Sequence, residues 1–415
     1  MSHYFSEAEH QDSEQREKEL ISKLAPFIEY AKAHSPYYAQ HLASVNAGDI
    51  NSRSALASIA ITRKSQLIEL QKTTPFFAGM VANQAKVDRI YQSPGPINEP
   101  ENTNDDWWRL AQAFYAAGFR AGDLVQNCLS YHLTPGGFIL DSGARACGCT
   151  VIPAGPGQTD QQLEVIQQLQ PAGYCGTPSF LKILLDKAKS QGIDVSCLKK
   201  ALVTGEAFTA ALKAEFAALG INAYQAYATA DIGLIGYESE GSDGFIVAED
   251  ILLEIVKPGS QQPVAAGEVG EVVVTSFNKD YPLIRFATGD LSAIATGTSQ
   301  CGRTNMRIKG WLGRADQTAK VKGMFVHPEQ IDKVMKAHQQ IVKSRLIINH
   351  ENHNDTMALQ CEINFDNTTD ADQIELIKLI KESLKKATNL SGDVKLVAIN
   401  SLANDGKVID DQRSI

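Results

Sequence analysis

The sequence predicts an α/β fold: a large first domain built on mostly parallel sheets flanked by helices, followed by a small α+β domain. Three observations carry this. From residue 124 onward short apolar strands alternate with helical patterns, with strands expected at 124–130, 150–153, 172–176, 201–204 and 222–227. The chain has 415 residues, more than one hydrophobic core usually organises. Beyond residue 317 the rhythm changes to VHPEQIDKVMKA, RLIINH, MALQCEINF, a long helix DADQIELIKLIKESLKKATNL and DVKLVAI, an α+β order.

Composition narrows the class. With 43% hydrophobic residues the chain is an ordinary globular protein. Its net charge of −9 and lack of a Lys/Arg cluster argue against a nucleic-acid partner. No apolar run is long enough to span a bilayer, and the charged start MSHYFSEAEHQDSEQREKEL lacks a signal-peptide core, so the expectation is a cytoplasmic protein without a membrane partner. The seven cysteines are scattered, and Cys147 and Cys149 in ARACGCTVI read as small buried side chains beside a strand.

In chain order, Leu20, Ile21, Leu24, Phe27, Ile28 and Ala31 recur at helical spacing, and a second short helix follows Pro36. Residues 62–72 read as a helix with Thr62 as its N-cap. In RIYQSPGPINEPENTNDDWW, Tyr91 ends a strand; Pro94, Gly95, Pro96 and Pro100 then enforce a loop before a helix at Trp107. The stretch VTGEAFTAALKAEFAALGINAYQAYATADIG gives strand, helix, strand and a polar turn. It brings Gly205, Glu206 and the turn around Asp231 to one sheet edge, where open α/β sheets bind small molecules.

Ten motifs in order carry a resemblance over nearly the whole chain: SPYY, AAGFRAGDLVQN, TPGGF, GCTVIPAGPGQT, GTPSFL, VTGEAF, YATADIG, GEVGEVVVTSFNKDYPLIRFATGDL, CGRTNMRIKGWLGRAD and VKGMFVHPEQID. The sequence resembles the phenylacetate–coenzyme A ligase branch of the adenylate-forming superfamily. The resemblance implies ATP, Mg²⁺ and coenzyme A as cofactors and a small aryl or acyl carboxylic acid as substrate. It also implies a large AMP-binding domain over 1–315 and a small mobile domain over 316–415. It places adenine against Gly205, Glu206 and Ala207, with Tyr227, Ala228 and Thr229 nearby. Asp290 falls on the ribose hydroxyls, Arg314 on ribose or phosphate, Asp231 on magnesium and Asp316 at the interdomain hinge. Lys407 is assigned as the mobile catalytic lysine, and Tyr131, His132, Gly136 and Phe138 to the acyl pocket, beside Gly155-Pro156-Gly157.

Departures accompany the resemblance. Relatives have a phosphate loop rich in Ser, Thr and Gly that ends in Lys; here it is SPGPINEP, with Ser93 and Gly95 retained, Pro94 and Pro96 removing N–H donors and Glu99 in place of the Lys. Ala230 lacks a hydroxyl, Asp231 is one methylene shorter than Glu, and Ala228 replaces a Gly. Three functions stay open on the sequence. One is an acid–coenzyme A ligase; another is a ligand-binding or scaffold homologue in a biosynthetic pathway. The third is an adenylating ligase with another acceptor, such as a carrier protein. A homodimer is the common assembly for soluble enzymes of this size.

Overall fold

The computed structural model describes residues 3–93, 96–297, 299–317, 319–321, 324–351, 354–365, 369–403 and 407–413. The chain divides into two compact units, residues 1–288 with 293–311, and 289–292 with 312–415.

The first unit opens with helix α1 (Ser13–His34), whose first turn is capped by Asp12 through bonds from the Glu14 and Gln15 amides. Helices α2 (Pro36–His41) and α3 (Arg53–Leu56) follow. Their apolar faces, with Leu24, Ile28, Tyr38 and Leu56, close over Leu252 and Ile284. Residues 62–72 are not one helix. Thr62–Arg63 form a short strand β1, a 3₁₀ turn covers Lys64–Gln66, and helix α4 spans Leu67–Thr73. The buried Thr62 hydroxyl bonds Tyr37 instead of capping a helix, because a tertiary partner outcompetes the local cap.

The expected proline loop is an antiparallel hairpin, β2 (Arg89–Ser93) and β3 (Ile97–Glu101). Pro94 and Gly95 of its turn lie outside the described residues. No helix starts at Trp107. Asp106 and Arg109 adopt positive φ, and helix α5 (Ala111–Ala116) begins where the Asp106 carboxylate accepts from the Ala111 amide at 3.0 Å.

The central sheet then builds from β4 (Leu124–Asn127), helix α6 (Gly136–Ala146), β5 (Thr150–Pro153), α7 (Thr159–Leu169), β6 (Gly173–Gly176), α8 (Pro178–Gln191), β7 (Lys200–Val203), α9 (Ala210–Ala218) and β8 (Asn222–Thr229). Its parallel part runs β5-β4-β6-β7-β8. Strands β9 (Gly233–Tyr237) and β10 (Phe245–Val247) then add antiparallel. Strands β11 (Ile251–Val256) and β12 (Gly270–Ser276) pair antiparallel, and β13 (Leu283–Ser292) joins their sheet, with β1 on its edge. Strand β14 (Arg307–Ile308) closes the central sheet on β10. The helix-linked strands β4 to β8 are parallel as expected, since the intervening helices supply the long crossovers that parallel pairing needs, and the later strands make the sheets mixed.

Deep in this unit Arg285 makes a two-pronged pair with Glu254, both bonds 3.0 Å, and donates to the carbonyls of Ala57, Ile59 and Gln261. One buried guanidinium thereby ties the N-terminal helices to the second sheet.

In the second unit, β15 (Ala319–Val321) pairs with β16 (Met324–Val326) and helix α10 (Pro328–Ala337) follows. A sheet ordered β19-β18-β17-β20 comprises β17 (Ile341–Glu351), β18 (Asn354–Ile363), β19 (Asp393–Ala398) and β20 (Ile409–Asp411). Helix α11 (Asp370–Thr388) is capped by Thr369 and Asp372 and packs Leu376, Ile380 and Leu384 into a core with Leu346, Ile348 and Leu359. Among the described residues no helix is long and apolar enough to cross a membrane.

Candidate active site

Strands β4, β6, β7 and β8 bring their carboxyl ends to one edge of the central sheet, the place where parallel sheets open a ligand crevice. At the end of β7, Gly205 has φ of +86°, a conformation glycine adopts without strain. Glu206 is anchored on both sides: its carboxylate accepts from the Ser179 amide at 2.6 Å, at the start of α8, and its carbonyl accepts from Gln225 Nε2 at 2.8 Å. The segment Gly205–Ala207 is thus an exposed but tethered shelf. On β8, half-buried Tyr227 sets its hydroxyl 3.4 Å from Thr288 Oγ1. The ladder with β9 shifts register between Tyr227 and Ala228, a bulge of the kind that re-aims side chains beside sites.

The turn after β8 folds on itself. The Thr229 hydroxyl donates to Asp231 Oδ1, and the Ile232 amide donates to the same oxygen at 2.9 Å. Trp108 Nε1 holds the Ala230 carbonyl at 3.3 Å, and Arg109 donates to the carbonyl of Ile232. The Asp231 carboxylate, wholly buried, faces an ammonium: Lys64 Nζ is 2.8 Å from Oδ2. The same Nζ is 3.9 Å from Oε1 of Glu99, which is 1% exposed. Ser93, the first residue of the altered loop motif, donates its hydroxyl to Glu99 Oε1 at 2.7 Å. Glu99 Oε2 is buried without a hydrogen-bond partner. Burial and the Asp231 charge push the Glu99 carboxyl up to about 8, against the opposing pull of Lys64. Gly95 lies outside the described residues.

The aromatic residues assigned to the acid make a wall beside this cluster's hairpin. The Tyr131 ring meets Phe138 edge-on at 5.1 Å, and Phe138 packs on Tyr91 at 5.2 Å. Tyr131 accepts from Asn127 Nδ2 at 2.7 Å and donates to Asp141 at 3.2 Å, so its hydroxyl is fixed by the protein. The Arg89 guanidinium covers the Phe138 ring at 4.9 Å. Gly136 and Gly137 start α6 against this wall; a Cβ on Gly137 would sit 2.7 Å from the Tyr131 ring, and one on Gly136 2.8 Å from Leu129. His132 is exposed, with its amide bonded to Ser130 Oγ at 3.2 Å.

In the second unit Arg314 Nη1 pairs with Asp290 Oδ1 at 3.1 Å, and the two residues also form an isolated backbone bridge. The arginine lies across Gly289, where a Cβ would fall 2.7 Å from Nη2. Asp316 sits in a 3₁₀ turn spanning Ala315–Gln317. Lys407, with its side chain 52% exposed, pairs with Asp410 at 3.1 Å.

The sequence did not single out Lys64. Its local pattern is that of a helix start, and only the folded chain sets it against Asp231. Glu99 was noticed as a departure but not as a partner; the one available signal was a lone carboxylate beside the apolar positions of a short hairpin.

These elements define an adenylate-forming architecture, and comparison with known proteins agrees. The AMP-binding enzyme family matches residues 104–278, and the AMP-binding enzyme C-terminal domain matches 323–413. In fold, the chain is similar to an open conformation of 2-hydroxyisobutyryl-CoA ligase in complex with 2-HIB-AMP and CoA, with a TM-score of 0.83, 23% identity and coverage of 98% of this chain and 94% of that one. In sequence it is 31% identical over 409 residues to a phenylacetate-coenzyme A ligase of Pseudomonas putida, covering 93% of this chain and 91% of the relative. A phenylacetate-coenzyme A ligase of Aromatoleum evansii is 30% identical over 363 residues, 83% of this chain and 81% of that one. The chain belongs to the phenylacetate–coenzyme A ligase family.

Proposed function

We propose that this protein activates an aryl or acyl carboxylic acid as its acyl-adenylate at the expense of ATP and passes the acyl group to the thiol of coenzyme A. The observation that carries this is similarity over nine-tenths of both chains to a phenylacetate-coenzyme A ligase. In such a reaction the acid carboxylate attacks the α-phosphorus and pyrophosphate leaves; the thiol then attacks the acyl carbon and AMP leaves. Gly205–Ala207 provide a shelf for a flat base, Asp290 a carboxylate able to accept from vicinal ribose hydroxyls, and Tyr131 and Phe138 an aromatic wall for the acid.

Mg²⁺ fits the chemistry of the first unit's cluster. Asp231 and, once its raised carboxyl gives up its proton, Glu99 are hard oxygen donors, and Glu99 Oε2 has no hydrogen-bond partner. Among the described residues no group of three or more His, Cys, Asp or Glu could hold a metal, so the ion would draw its other ligands from phosphate and water, as Mg²⁺ commonly does. When bound it supplies charge neutralisation on phosphate oxygens. Lys64 holds the two carboxylates in place and is the cation nearest to both.

Acid-dependent exchange of pyrophosphate into ATP, with a panel of aryl and acyl acids, tests the first half-reaction, and thioester formation tests the second. A second reading, an adenylate-binding homologue that does not handle triphosphate, is favoured by one observation: Lys64 is engaged by Asp231 and Glu99 rather than presented by a lysine-ended loop. AMP binding with no exchange at saturating Mg-ATP would select it. AMP release without a thioester would point to another acceptor, an amine or a carrier-protein thiol.

A further inference from the structure

Apart from the crevice at the strand ends, the first unit holds a cavity of about 350 Å³ lined by α1, the β10–β11 connection and the segment leading into β14. Ser13, Arg16, Glu17 and Leu20 of α1 line it at helical spacing, and residues 247–251 form another wall. Two buried polar atoms of the lining are idle. Arg16 is 7% exposed and Asn305 8%, and Arg16 Nε and Asn305 Oδ1 have no hydrogen-bond partner among the described residues. A buried donor and a buried acceptor left idle are each costly unless a bound group serves them. The other polar atoms of these side chains are engaged. Arg16 Nη1 and Asn305 Nδ2 both donate to Glu249 Oε1, the latter at 2.8 Å, and Arg16 Nη2 donates to Thr304 Oγ1 at 2.9 Å. Sharing one carboxylate oxygen keeps the idle donor and the idle acceptor in one neighbourhood.

The donor belongs to a cation and the acceptor stands beside an anion. A complementary ligand therefore turns a carboxylate to Arg16 and an ammonium to Asn305 and Glu249. The charges of the lining balance, Arg16, Arg53 and Arg307 against Glu17, Glu249 and Asp250, so a zwitterion enters without stranding charge, whereas a lone anion or cation does not. Leu20, Ile251, Ile294 and Met306 add apolar surface for a hydrocarbon body, and the volume is at the small end of ligand pockets.

We propose that this cavity is a second ligand site, separate from the candidate active site, that binds a small α-amino acid with an aliphatic side chain. The carboxylate accepts from Arg16 Nε, the ammonium donates to Asn305 Oδ1, and the side chain lies on the apolar lining. None of the lining residues belongs to the crevice assigned to nucleotide and acid, so occupancy needs no nucleotide.

Calorimetric titration of L-leucine, glycine and isovaleramide into the full chain without nucleotide tests this, with Asn305→Ala and the cavity-filling Ala295→Leu as variants. L-leucine should bind with one-to-one stoichiometry, and glycine roughly tenfold or more weakly, because it lacks the hydrocarbon. Isovaleramide keeps a donor and an acceptor but no charges, and should also lose roughly tenfold or more. Asn305→Ala should weaken leucine binding about tenfold, and Ala295→Leu should abolish it; the second variant carries the test should the first not fold. No binding of leucine to the folded chain at about 10 mM overturns the proposal. Full-strength binding in either variant overturns it too, by placing the amino acid elsewhere, and isovaleramide matching leucine removes the zwitterion.

Discussion

Lys64 Nζ lies 2.8 Å from Asp231 Oδ2, joining the 3₁₀ turn that follows edge strand β1 to the turn after the central strand β8. The two residues are far apart in sequence, and their pairing fixes the floor of the candidate active site. Removing one member of a buried pair leaves the other charge uncompensated, which commonly costs about 3–5 kcal/mol. Lys64→Ala should therefore lower stability to denaturant by roughly 3 kcal/mol. Above about pH 8, where the Glu99 carboxyl ionises, adding Glu99→Gln to it should restore part of the loss, because one stranded carboxylate is gone. Additive losses in this double-mutant cycle would show that Lys64 and Glu99 do not interact.

The raised pKa of Glu99 gives a signed pH dependence. Its carboxyl titrates near 4.5 in an unfolded chain and at about 8 when folded. Between these values the unfolded state has released a proton that the folded state retains, so stability falls as pH rises through the window. Unfolding curves from pH 4 to 9 should show the unaltered protein losing stability relative to Glu99→Gln across that window, with parallel behaviour outside it. Parallel curves throughout would remove Glu99 from the account.

Gly137 is required by the aromatic wall. Its Cβ would clash with the Tyr131 ring at 2.7 Å and with the Ser130 carbonyl at 2.8 Å. Gly137→Ala should cost about 1–3 kcal/mol and dislodge Tyr131 from Asn127 and Asp141. Steady-state kinetics should show this as a raised KM for the acid with a smaller change in KM for ATP; equal changes in both would place Tyr131 outside the acid's contacts.

Arg285 is the largest buried charge of the first unit's core, completely shielded and paired in two bonds with Glu254. Arg285→Ala should destabilise the first unit by about 3–5 kcal/mol, read by thermal or urea unfolding. The double change Arg285→Met with Glu254→Leu should cost much less, since it removes both charges together.

Much of the fold was legible in the residues. The alternation of apolar strands with amphipathic helices placed the parallel strands to within a few residues, and VTGEAF and YATADIG located the strand ends where the candidate site opens. The second unit's helix α11 was equally readable as a long helix in DADQIELIKLIKESLKKATNL. The misreadings share one cause. Thr62, Trp107 and the proline hairpin carry local signals that tertiary partners override: Thr62 bonds Tyr37, Asp106 caps α5 from five residues upstream, and Ser93 pairs with Ile97 in a two-stranded ladder.

The sequence by itself determined the α/β class, the family, and the positions of Gly205, Asp231 and Tyr131 at turns and beyond strand ends, because periodicity and turn chemistry are local properties of a chain. Only the tertiary structure decided the charge state of the site. Glu99 read alone is an anion where a cation belongs; set in space it shares Lys64 with Asp231. Electrostatic partnership depends on distance and burial, and neither is written in the spacing of residues along the chain.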